Sequence, residues 1–163
     1  MNVAALIEST LAERGLEWEH TGEHSYAVTL PGTHKLKTLC NLIVGEHALR
    51  VEAFVMRQPD ENREQLWSWL LQRNARMYGV AFAIDGNGDV YLVGRVSLHA
   101  VNADELDRLL GSVLTYADES FDTMLEIGFG SDEELEQLAN RSQRIVAGRR
   151  GGSRNWPGLQ RSS

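Results

Sequence analysis

The run Asp85-Gly86-Asn87-Gly88-Asp89 alternates oxygen-bearing side chains with glycine, as the opening of a calcium-binding loop does. The likeness stops there. Position six is Val90 where such a loop needs glycine, position twelve is Val96 where it needs a bidentate glutamate, and strand-like segments flank the run. Glycines at alternate positions also suit a tight hairpin turn, and the hairpin is the reading adopted. His20 and His24 stand four apart, which chelates a metal only on a helix; Thr21-Gly22 between them breaks one, so both are expected in a loop. His34, His47 and His99 fall near turns or strand ends with no second ligand at a recognisable spacing, so solvated or locally hydrogen-bonded rings are expected. Cys40 lies on the apolar side of an alternating run, where a small buried hydrophobe is expected instead of a nucleophile.

The sequence has no G-x-S-x-G elbow, no G-x-x-x-x-G-K-[ST] loop and no G-x-G-x-x-G between a strand and a helix. The carboxylate pairs Asp60-Glu61, Asp104-Glu105 and Asp132-Glu133 all open helical patterns, where the positive end of the helix dipole accounts for them. Glu52 alternates with Arg50 and Phe54 on a strand and is expected on a solvated sheet face. These residues predict a protein that is not an enzyme, with no catalytic residues, no metal and no cofactor.

The elements that hold these residues follow from periodicity. Asn2 caps a helix over about 3–14, with Val3, Leu6, Ile7 and Leu11 on one face and Gly15 as its stop. Tyr26, Val28 and Leu30 alternate as a strand that ends at Pro31-Gly32. Leu36, Cys40, Leu42 and Val44 share a face of the next, and Leu49, Val51, Ala53 and Val55 continue it on the return. Pro59-Asp60 opens a helix to about Arg76. One of its stripes is Leu66, Trp69, Leu70 and Met77, and the other is Trp67 and Leu71. Val80 to Ile84 and Val90 to Val96 form the hairpin around Asp85–Asp89. Asn102-Ala-Asp-Glu105 is a capping box for an unbroken helical pattern to about residue 127, roughly 37 Å at 1.5 Å per residue. Ser131 and Glu134 cap a last helix over about 132–147 with Leu135, Leu138, Ala139, Ile145 and Val146 on one face. The pattern predicts an α+β domain: an antiparallel sheet of about five strands with the helices packed on one face.

The chain of 163 residues fits one domain, 1–147, that needs no disulfide or metal to fold. Residues 148–163 are rich in Gly, Arg and Ser, and a disordered tail is expected there. Charge divides the same way. All 23 acids precede residue 137, whereas six of the 16 basic residues follow residue 140, so 1–140 carries 10 − 23 = −13 and 141–163 carries +6. An acidic body repels phosphate backbones, which argues against nucleic acid as the main partner. Met1 to Glu8 lacks a basic, apolar leader and no run approaches the roughly 20 apolar residues of a membrane span, so no membrane association and a cytoplasmic location are expected. The single cysteine agrees with a reducing compartment.

Several segments in order carry a resemblance: Phe54-Val-Met-Arg-Gln-Pro-Asp-Glu-Asn62, Trp69-Leu-Leu-Gln-Arg-Asn74, Tyr78-Gly-Val-Ala-Phe-Ala83, Gly88-Asp-Val-Tyr-Leu-Val-Gly-Arg95, Glu105-Leu-Asp-Arg-Leu-Leu-Gly111 and Leu125-Glu-Ile-Gly-Phe129. Over about 3–129 the chain resembles the YbjN-like family, often labelled bacterial sensory transduction regulators. The resemblance implies an α-β-β-β-α-β-β-α order similar to the type III secretion chaperones. It offers no catalytic residues to carry over.

Three functions are weighed. The first is a chaperone-like or regulatory domain that binds an unknown protein partner and forms a homodimer, with Trp67, Trp69, Leu71 and Tyr78 as contact residues. The second is a small-ligand sensor with a pocket between helix 61–76 and the sheet, walled by Trp67, Trp69 and Tyr78. The third is contact with an acidic partner or nucleic acid through Arg149, Arg150, Arg154, Arg161 and Trp156 of the tail.

Overall fold

The computed structural model describes residues 2–130. The Asn2 carboxamide oxygen accepts the Ala5 N–H at 3.2 Å and starts α1 (Val3–Glu13); Gly15, at φ 64°, turns the chain out of it. Four strands follow: β1 (Glu17–Gly22), β2 (Ser25–Pro31), β3 (Lys37–Val44) and β4 (Ala48–Met56). Then come α2 (Arg63–Asn74), β5 (Ala81–Ile84), β6 (Val90–Ser97), a short 3-10 turn at Leu98–Ala100 and α3 (Ala103–Phe129). The six strands form one antiparallel sheet in the order β1-β2-β3-β4-β6-β5.

Register sorts the side chains onto two faces. Val28, Cys40, Ala53, Leu92 and Phe82 lie opposite one another across five strands, and all are in the main core. Ile7 and Leu11 of α1, Leu66 and Leu70 of α2, and Leu106, Leu109, Val113, Ala117, Phe121 and Met124 of α3 pack onto this face. Asn102 caps α3 through the Glu105 N–H at 2.8 Å. The second face carries a smaller cluster of Phe54 and Tyr91, flanked by Leu39, Ala83 and Val93.

The sheet has six strands where five were expected. The extra strand, β1, is Glu-Trp-His-rich and lies at the sheet edge, where Trp18 is its link to the core. A polar edge strand buries one residue in several and leaves little alternation to read. His20 is therefore a strand residue beside Tyr26, its ring 4.7 Å away, and only His24 is in the turn.

Leu36 precedes β3 and is exposed. Glu52 is buried, not solvated. The second helix begins at Arg63, four residues after Pro59, because the Asp60 and Glu61 N–H groups donate to the Gly128 carbonyl at 3.0 and 3.1 Å and Asn62 takes a left-handed φ of 56°. The helix expected over 132–147 and the tail 148–163 lie outside the described residues.

Candidate partner-binding groove

Edge strand β5 and helix α2 run side by side, and between them lies an apolar groove of ≈ 300 Å³. Leu70 and Phe82 form its floor, Trp67 and Leu71 its helical wall, Ala83 and Ile84 its strand wall. The amphipathic pattern explains the wall: Leu66 and Leu70 point at the sheet, and one residue further round the helix Trp67 is half-buried while Leu71 is 68% exposed. Ile84 is 41% exposed across from it. An exposed leucine alone is ordinary; two exposed aliphatics flanking a concave apolar floor are a place for another apolar group.

A sheet edge normally offers its backbone to an incoming strand. Here the Asn74 carboxamide occupies that position. Its Oδ1 accepts from the Phe82 N–H at 2.7 Å and its Nδ2 donates to the Phe82 carbonyl at 3.0 Å, as a neighbouring strand would. The edge is thus closed at its centre, and the groove offers shape and apolar area more than backbone pairing.

Trp69 faces away from this groove into another, of ≈ 420 Å³, between α2 and α3. That second groove is polar: Gln72, Arg73, Arg76, Tyr116 and Glu119 line it with Trp69 and Met77. The Arg73 guanidinium lies 5.1 Å from the Trp69 ring centre and 3.7 Å from Glu119. Tyr78 lines neither groove; it is exposed, its N–H donates to the Tyr116 hydroxyl at 3.0 Å, and Arg108 lies 5.8 Å over its ring. The sequence grouped Trp67, Trp69 and Tyr78 as walls of one pocket, and the structure separates them. Arg149, Arg150, Arg154 and Trp156 lie outside the described residues.

A polar cluster that periodicity did not reveal joins the β2–β3 loop to α3. The Asp118 carboxylate accepts the N–H groups of Thr33, His34 and Lys35 at 2.8, 2.8 and 2.9 Å. Burial alone would raise the pKa of this carboxyl; the donations from Lys35, His34 and Thr33, helped by the charge of His34, outweigh it and lower the pKa overall. His34 Nδ1 meets Asp122 Oδ2 at 2.8 Å. The Lys35 side chain is fully buried against the Phe121 ring, its Nζ donating to the Lys37 carbonyl at 2.8 Å, and burial lowers its pKa to about 8. Such a lysine has the pKa of a nucleophile, yet with no exposed surface it meets no substrate. Three backbone donors curled around an oxygen make an anion nest, and here the chain's own carboxylate fills it. The signal in the sequence was Pro31-Gly32 before a lysine with Asp118 far along the chain, a pairing that only the fold makes.

Among the described residues no three His, Cys, Asp or Glu side chains gather as a metal site. Asp85 is spent within its own turn, its Oδ1 accepting from the Asn87 and Asp89 N–H groups, and Asp89 ties the turn to the segment after β4, its Oδ1 accepting from the Gln58 N–H. Cys40 is buried, and burial pushes its thiol up to about 12. No described helix is long and apolar enough to cross a membrane.

The described helices pack on one face of a six-stranded antiparallel sheet. The fold is that of the type III secretion chaperones. It matches the HopA1-SchA chaperone-effector complex with a TM-score of 0.55 at 10% identity, over 74% of this chain and 93% of that one. It matches the heterodimeric ExoU-SpcU complex of the Pseudomonas aeruginosa type III secretion system with a TM-score of 0.53 at 18% identity, over 77% and 99%. Within that class the sequence is more particular: residues 4–126 match the YbjN family, described as "Putative bacterial sensory transduction regulator", and the chain belongs to that family. It is 56% identical over 109 residues to an uncharacterized protein of Mycobacterium tuberculosis and 50% identical over 109 residues to one of Mycobacterium leprae. Those stretches are 67% of this chain and 60% and 59% of the relatives, so the chain spans about 60% of the length of the curated relatives it matches.

Proposed function

We propose that this chain is a non-enzymatic regulatory domain of the cytoplasm that binds protein, that the α2–β5 groove receives apolar side chains of its partner, and that two copies pair through the same groove to form a homodimer. The observation that carries the reading is Leu71, 68% exposed on the rim of an apolar groove whose other rim is the exposed Ile84. The fold supports it as well, since the HopA1-SchA structure is of a chaperone with its effector. Covering Leu71, Ile84 and the open side of Trp67 removes apolar area from water at about 25 cal/mol per Å². With Asn74 holding the strand edge, the partner group expected is a leucine-like or aromatic side chain carried on a helix or loop.

Light scattering of the wild-type chain and of Leu71→Asp at micromolar concentration tests this. The wild type should show twice 18.2 kDa. Leu71→Asp should show the single mass and stay folded, melting at a temperature that no longer depends on concentration, because the substitution at an exposed position costs the monomer within about 0.5 kcal/mol while the stability added by pairing is lost. A wild-type mass of 18.2 kDa, or a Leu71→Asp chain that still pairs, removes the homodimer through this groove.

A further inference from the structure

The C-terminal end of α2 carries Arg73 and, one turn on, Arg76, whose backbone N–H donates to the Arg73 carbonyl at 2.9 Å. Both side chains line the ≈ 420 Å³ groove between α2 and α3. The negative end of the helix dipole favours bases at this place, and it leaves their N–H groups without acceptors. Glu119 comes within 3.7 Å of Arg73, close enough to attract it and too far for a hydrogen bond. Arg73 lies against the Trp69 ring, and its Nε is shielded from water with no partner. Arg76 is exposed, and among the described residues no acid or acceptor meets its side chain. The Tyr116 oxygen already accepts the Tyr78 N–H, so its own proton is left to donate into the groove.

We propose that the α2–α3 groove binds a small organic monocarboxylate, its carboxylate against Arg73, Arg76 and the Tyr116 hydroxyl, and its flat or aliphatic body on Trp69 and Met77. Charge sets the valence. Two guanidinium groups against the one carboxylate of Glu119 leave the groove at 2 − 1 = +1, which one carboxylate neutralises. Arg73 and Arg76 are neighbours at a spacing where like charges repel, and a bound anion relieves that repulsion. Guanidinium forks also match the two oxygens of a carboxylate.

Charge further favours a free small acid over an acidic stretch of a protein. Residues 1–140 carry −13, so a segment with several acids is repelled by the body, whereas a single carboxylate meets only the local +1. The groove volume falls in the range of small-molecule clefts, and the half-buried Trp69 and Met77 supply the apolar wall such clefts use. This site lies across α2 from the apolar groove of Trp67 and Leu71 and does not depend on pairing there.

The test titrates the ¹⁵N-labelled full chain with sodium phenylacetate at fixed ionic strength. The Trp69 indole N–H signal, identified by its loss in Trp69→Phe, is followed by NMR. A saturable shift is expected, with phenylacetamide, the neutral molecule of the same shape, binding at least about tenfold more weakly. Arg76→Gln, at an exposed position, should weaken phenylacetate about tenfold while the other indole signals stay in place. Glu119→Gln should tighten it about threefold, the worth of one unit charge at about 6 Å in water. No saturable shift at Trp69, equal binding of the amide, or an unchanged affinity in Arg76→Gln overturns the inference. Weaker binding in Glu119→Gln would mean that the groove takes a cation or zwitterion, and overturns it as well. So does tighter binding of the blocked peptide acetyl-Leu-Glu-Leu-amide than of phenylacetate, which would make a protein side chain the occupant.

Discussion

Replacing Lys35 with methionine should change how the stability of this protein depends on pH, with little change at neutrality. The amine is fully buried, donates to the Lys37 carbonyl, and is held at about 8 by burial against an ordinary value of 10.5. The folded state therefore releases the proton near pH 8 and the unfolded chain near 10.5, so between these values the unfolded chain binds more protons and stability rises with pH. The interval is worth about 3 kcal/mol at 1.36 kcal/mol per pH unit, of which about 2 kcal/mol falls between pH 7 and pH 9.5. Methionine keeps the volume over Phe121 and has nothing to titrate. At pH 7 it removes the cost of a buried charge and loses one charge-assisted hydrogen bond of about 1.5–3 kcal/mol, so the two changes nearly cancel. Urea unfolding of both proteins at pH 7, 8, 9 and 9.5 gives the comparison. The wild type should gain about 2 kcal/mol on Lys35→Met across the series, independent of Cys40 and the tyrosines, which both proteins share. Parallel stability curves would refute the buried charge and the cause assigned to it.

Asp118→Asn should cost about 1–2 kcal/mol at pH 7, the low end for a carboxylate with three donors because solvent reaches it. Its folded pKa is lowered, so the contribution is present above the ordinary carboxylate range and lost as pH falls through the folded value; wild type and variant should converge in acid, as chemical denaturation will show. Gly32→Ala places a Cβ 2.2 Å from the Lys35 carbonyl and 2.7 Å from Asp118 Oδ1, and a loss of about 2 kcal/mol or more is expected in thermal unfolding; a neutral outcome would mean that the loop is free to shift. Cys40 should resist an aromatic disulfide reagent at pH 8 until the protein is unfolded in urea, and fast modification of the native chain would contradict its burial.

Local pattern determined much of this molecule. The caps at Asn2 and Asn102, the stop at Gly15, the alternation of β2 to β4, the hairpin at Asp85–Asp89 and the unbroken phase of α3 are all written within a few residues of where they act, because helix and strand periods repeat along the chain itself. Gly32, Lys35 and Asp118 were not legible together: a clip across 83 residues of sequence exists only once α3 lies over the β2–β3 loop. The same holds for Asn74 on the Phe82 backbone, which needs α2 beside the strand edge.

What the sequence determined by itself was class: an α+β domain with the helices on one face, an acidic body, a basic end, and two apolar stripes on the second helix. What the tertiary structure decided was allocation. The polar strand Glu17–Gly22 joins the sheet because β2 has an open edge for it, and Trp67 and Trp69 part company because residues two apart on a helix point about 200° apart and meet different neighbours. Which apolar surface becomes core and which remains as a rim depends on the neighbours that arrive, and periodicity along one chain does not encode them.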